Sequence, residues 1–66
     1  MKADRKKLEL AMARACMNTA DLVKMSAMPR PTVNNAIVGK SVSPATLGRI
    51  ARALDVDVTD IMEVEE

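Results

Sequence analysis

Within 66 residues the same local signature is written three times: a short polar residue able to accept from the first free amides of a helix, with apolar residues spaced to close over the start. Asn18 has Asp21 three positions on, as in a capping box, and Met17 and Leu22 as the staple pair. Ser43 is followed by Pro44, which suits a first helical turn, and is bracketed by Val42 and Leu47. Asp57 has Asp60 three positions on, with Val56 and Ile61 as its staple. The expected class is all-α.

Taken in order, Met1 to Ala3 are expected to be loose, and Asp4 to cap a first helix reaching about Cys16, with Leu8, Ala11, Met12 and Ala15 at helical spacing. Lys2, Arg5, Lys6 and Lys7 crowd its start, where positive charge opposes the helix dipole. Contact with a nucleic-acid backbone is one reason for such a cluster; solvation alone is the other. Leu10 and Ala13 lie off the main stripe and leave a small contact surface. The second helix follows Asn18, turns Leu22 and Val23 inward, and is broken by Ser26, Ala27 and Met28 before Pro29.

A further helix start, at Arg30, lacks the signature. Arg30 precedes a proline and is biased out of the α region, so the helix is expected to run from about Pro31 to Val38. At about 100° per residue, Val33, Ala36 and Ile37 fall on one side, and Pro31, Asn34, Asn35 and Val38 on the other. With no capping side chain, its free amides are expected to attract anions beside Arg30. Gly39 then suits a left-handed cap, and Lys40 and Ser41 follow in a loop within reach of a phosphate. The helix after Ser43 buries Leu47, Ile50, Ala51 and Leu54 and turns Arg49 and Arg52 to solvent. Asp55 ends it, a last short helix after Asp57 closes the core with Val58, Ile61 and Met62, and Glu63, Glu65 and Glu66 form an acidic end.

Composition narrows the chemistry. A chain of 66 residues makes one domain, expected to span 1–66, and buries only about 60% of its unfolded surface. It has no Phe, Tyr or Trp, so its core is aliphatic, and six Met make that core adaptable. With no His and a single Cys, Cys16, neither a zinc site nor an internal disulfide is expected, and a reducing cytoplasm is the simplest setting. No apolar run approaches the roughly 20 residues that span a bilayer, so no membrane partner is expected. Two glycines cannot build a phosphate loop, and no nucleophile has a basic neighbour, so neither an enzyme nor a cofactor is expected. Single-strand recognition by stacking is disfavoured because it uses aromatic rings.

Charge is divided along the chain. All ten Lys and Arg lie in residues 1–54 with only Asp4, Glu9 and Asp21, giving +7, whereas residues 55–66 carry six acids and no base, giving −6. A basic body of this kind fits phosphate contact.

The order of Val23 at an alanine-like position, the turn residue Ala27, the apolar Val33, the Gly39-Lys40 exit and the later SPATLGRIARALDV run resembles the lambda-repressor/Cro-like (Xre-type) helix-turn-helix family over about residues 8 to 62. Two positions depart from it: Ala27 stands where glycine is usual, and Pro29 where Ser or Thr usually caps the reading helix. The resemblance implies a compact bundle of five short helices with a reading helix at about 31–38, set in the DNA major groove. By position it implies that Arg30, Pro31, Thr32, Asn34 and Asn35 face the bases and that Thr19 lies near phosphate. Lys40 and Ser41 would hold the backbone beside the groove. The function it implies is sequence-specific binding of double-stranded DNA, as a small transcriptional repressor of phage or mobile-element type, with a homodimer on an inverted-repeat operator. The alternative is a protein-interaction module, such as an antitoxin or cofactor, carried by Leu10, Val38 and the acidic tail of residues 63–66.

Overall fold

The computed structural model describes residues 1–63, so Glu65 and Glu66 of the acidic end lie outside the described residues. Among these described residues four α-helices run in order, α1 (Arg5–Arg14), α2 (Thr19–Ser26), α3 (Arg30–Ile37) and α4 (Pro44–Ala53), followed by a 3-10 turn at Val58–Asp60. The fold is all-α, and its fifth helical piece is one turn long.

The three signature starts form as their residues dictate. Asn18 accepts from the Asp21 amide at 2.8 Å while Asp21 accepts from the Asn18 amide at 3.2 Å, a closed capping box. Ser43 accepts from the Thr46 amide at 3.2 Å. Asp57 accepts from both the amide and the hydroxyl of Thr59, at 2.9 and 2.8 Å. The backbone bond first, and the hydroxyl second, hold the Asp57 carboxyl below the ordinary carboxylate value. A carboxyl depressed on folding contributes stability above its unfolded value and loses that contribution as pH falls through the folded one. Asp57→Asn keeps an acceptor and removes the titration, so its acid-unfolding limb, followed by circular dichroism, is expected to be shallower than that of the parent chain.

Helix ends are closed by left-handed residues, three of which are not glycine: Cys16 (φ 56°), Ala27 (φ 55°) and Asp55 (φ 57°), beside Gly39 (φ 85°). The first helix therefore stops at Arg14, two residues short of the expected Cys16. There Met17 donates to the Met12 carbonyl at 2.9 Å and Cys16 to the Ala13 carbonyl at 3.1 Å, the paired bonds of a Schellman closure. The same pair recurs after α3, from Lys40 to Asn35 and Gly39 to Ala36, and after α4, from Val56 to Ala51 and Asp55 to Arg52. An L-residue in this region is strained, and Ala27, exposed and without a side chain to compensate, carries the penalty in full. Ala27→Gly is expected to stabilise the domain by about 1 kcal/mol, a rise in Tm of about 4–8 °C in a melting curve.

The core is aliphatic and drawn from every helix: Leu8 and Ala11 of α1, Leu22 of α2, Val33 and Ala36 of α3, Leu47, Ile50 and Ala51 of α4, with Met28, Leu54 and Ile61 from the connections. Helix α4 packs against α2, α3 and the 3-10 turn, which makes it the central support of the bundle.

The amino-terminal residues depart from expectation. Met1 to Ala3 are not loose: Ala3 is buried and forms an antiparallel bridge with Met62. Val42 donates to the Met1 carbonyl at 2.7 Å, Glu63 to the Lys2 carbonyl at 2.9 Å, and Asp4 to the Ile61 carbonyl at 2.8 Å. Extended pairing of distant backbone has no local sequence signature, so propensity alone reads this segment as a free end.

Candidate nucleic-acid interface

Helices α2 and α3 pack together and are joined by the short connection Ala27–Pro29. The left-handed Ala27 reverses the chain, and buried Met28 pins the connection to the core. Helix α3 then starts one residue earlier than expected, with Pro29 as the flanking cap residue, Arg30 first and Pro31 second. The steric bias of a residue before proline is overridden here because Val33 and Ala36, both 0% exposed, fix the helix on the core.

That start changes the electrostatics of the helix end. Pro29 makes no side-chain cap, as its chemistry requires. Of the four amides a helix normally leaves open, however, two are absent because Pro29 and Pro31 carry no N–H. Thr32 donates its own to the Pro29 carbonyl at 3.1 Å. Among the described residues only the Arg30 amide remains open, so the expected cluster of anion-attracting amides does not form.

The side chains of α3 are sorted by the helix. Arg30, Pro31, Asn34, Asn35 and Val38 are all exposed and fall within an arc of roughly 140° at about 100° per residue. Val33 and Ala36 occupy the opposite side, and Thr32 and Ile37, both half-buried, form the two flanks. Of the residues expected to face bases, Thr32 is thus the one at the edge. Val38, 51% exposed, sits near the middle of the outward arc; its place there follows from helical spacing, but an exposed valine carries no polar signal to mark it as a contact.

The remaining expected residues lie on neighbouring elements. Thr19 is the first residue of α2 and is half-buried behind the Asn18 cap. Lys40 and Ser41 are exposed in the connection that leaves the Gly39 turn, and the adjacent Val42 is held by Met1. Arg49 and Arg52 are exposed on α4, as their spacing predicts. Among the described residues no group of three potential ligands could hold a metal ion, and no helix is long and apolar enough to cross a membrane.

Two packed helices joined by a tight left-handed turn, with the second offering a polar arc outward, define a helix-turn-helix nucleic-acid-binding domain. A family model described as Cro/C1-type HTH DNA-binding domain matches residues 7–66. The chain belongs to that family, and DNA is its partner. No curated protein and no solved structure matches it.

Proposed function

We propose that the chain is a sequence-specific regulator of transcription, a small cytoplasmic repressor of phage or mobile-element type that binds double-stranded DNA as a homodimer on an inverted repeat. The outward arc of α3 carries this reading: Arg30, Asn34 and Asn35 present planar hydrogen-bonding groups to solvent from a helix locked to the core. A carboxamide pairs bidentately with adenine and a guanidinium with guanine, and exposed Val38 suits a thymine methyl. Pro31 and Thr32 shape the approach at the start of the helix. Thr19, Lys40 and Ser41 hold phosphates on either side and set the register. The chemistry is recognition alone, without a catalytic step or a cofactor. A single module of this size covers only about 600–1,000 Å² on DNA, which favours two copies on one site.

Selection of bound duplexes from a random-sequence pool tests the proposal. The expected product is an inverted repeat with half-sites about one helical turn apart, or a multiple of it. A pool that enriches no motif would remove the sequence-specific reading and favour a protein partner for the fold. Lys40→Ala separates the two kinds of contact: it is expected to weaken binding to all duplexes alike and to reduce the salt slope by about 1. A loss confined to one sequence would contradict a phosphate role for Lys40.

A further inference from the structure

Four cations crowd the beginning of α1, and the fold divides them. Arg5, Lys6 and Lys7 occupy its first turn with no acidic residue among them, which works against the helix dipole. Only the Asp4 cap, accepting from the Lys7 amide at 3.1 Å, offsets it. The buried contacts of α1 come from Leu8 and Ala11, on its inner side.

The stem of Arg5 lies on the turn that ends the reading helix: a Cβ placed on Gly39 would meet its Cγ and Cδ at 3.5 Å. Lys2, Arg5 and Lys6 line one shallow surface depression together with Val38 and Gly39. Asp4 and Glu63 border it as well, the first engaged as the α1 cap and the second exposed. The bond from the Val42 amide to the Met1 carbonyl ties Lys2 to the Lys40–Val42 connection from the other side. Lys7 belongs elsewhere. It is half-buried and lines a separate depression with Leu10, Arg14, Val56, Thr59 and Asp60.

We propose that Lys2, Arg5 and Lys6 continue the phosphate-binding surface of Lys40 past the end of α3, so that the DNA backbone runs from the Gly39 turn onto the start of α1, and that Lys7 takes no part. This rests on the reading of α3 as the DNA-facing helix and adds a second, sequence-independent anchor to it. Arg5 is the central member, because its stem already packs on the Gly39 turn, so that less of a long side chain has to be ordered on binding.

The test measures binding of the full chain to a mixed-sequence duplex over a range of salt concentrations, comparing the parent with Arg5→Gln, Lys6→Gln, Lys2→Gln, Lys7→Gln and Arg5→Lys, each checked for an unchanged helical spectrum. Each cation on the strip is expected to flatten the log–log salt slope by about 0.9 when removed, and to weaken binding on the order of tenfold near 0.1 M salt. Arg5→Lys keeps the slope, and Lys7→Gln leaves both slope and affinity near those of the parent. If Lys7→Gln flattens the slope as much as Arg5→Gln, the effect is one of net charge and the division of the cluster is wrong. If the Arg5 and Lys6 variants keep the parental slope while Lys40→Ala loses its share, the α1 strip fails and the reading of α3 survives. A parent chain that does not bind duplex DNA at all overturns both.

Discussion

Ile50→Ala is expected to leave a substantial fraction of the chain unfolded at room temperature. Ile50 is 0% exposed on α4, the helix against which α2, α3 and the 3-10 turn all pack. Truncating a buried isoleucine to alanine costs about 2–5 kcal/mol, the loss of transfer free energy plus the cavity left behind. A domain of this length has a total stability of only about 3–10 kcal/mol at typical values per residue. The two quantities overlap, so one substitution removes much or all of the margin. Urea unfolding should show a lower midpoint with an unchanged m-value. Far-UV circular dichroism is the suitable probe because the chain has no Trp or Tyr to report by fluorescence. The paired control is Arg49→Ala on the exposed side of the same helix, expected to change stability by no more than about 0.5 kcal/mol. A midpoint for Ile50→Ala equal to that of the control would mean that α4 is not the support of the bundle.

Legibility of this fold in the sequence follows the range of the interactions concerned. The starts at Asn18, Ser43 and Asp57 are legible because each cap lies within three residues of the amide it accepts from, and each cap forms as its spacing requires. The division of α3 into an outward and a buried side is legible for the same reason, since a helical period sorts its residues before any partner is known. Two features are not. Placing the first residue of α3 needs the balance between a local bias at Arg30 and the seating of Val33 and Ala36, and the second wins by burial that the local sequence does not display. The ordered amino terminus depends on Val42, Ile61 and Glu63, up to about sixty positions away, and an extended three-residue segment with one small apolar residue has no pattern to announce such pairing. That second omission bears on function, because the tie between Met1 and Val42 is what sets Lys2 beside the Lys40 connection. The amide cluster at the start of α3 shows the reverse case: the absent cap is legible, but the two prolines each remove an N–H from the site, which leaves the Arg30 amide open and no cluster.

The largest effect on recognition is expected from the two outward amides. Asn34→Ala and Asn35→Ala should each weaken binding to the selected duplex by about 1–3 kcal/mol, roughly five- to 150-fold, while leaving binding to a mixed-sequence duplex nearly unchanged. Both residues are exposed in the interior of α3, and alanine has the higher helix propensity, so the folded population should be equal or larger in the variants. A loss of affinity therefore cannot be assigned to unfolding. Each amide would read its own base pair, and the discriminating measurement is competition among duplexes altered one pair at a time: an Asn34→Ala protein should become indifferent at one position only, and an Asn35→Ala protein at a different one. Arg30→Ala provides the comparison of opposite kind. Its cation lies at the amino end of α3, where the dipole disfavours positive charge, so its removal should stabilise the helix by a few tenths of a kcal/mol. On DNA the same change removes both a charge and a bidentate donor, and should lower affinity for every duplex with an added penalty on the selected one. Loss of affinity for all sequences in the Asn34 and Asn35 variants, with no change in which bases are preferred, would mean that α3 touches DNA without reading it.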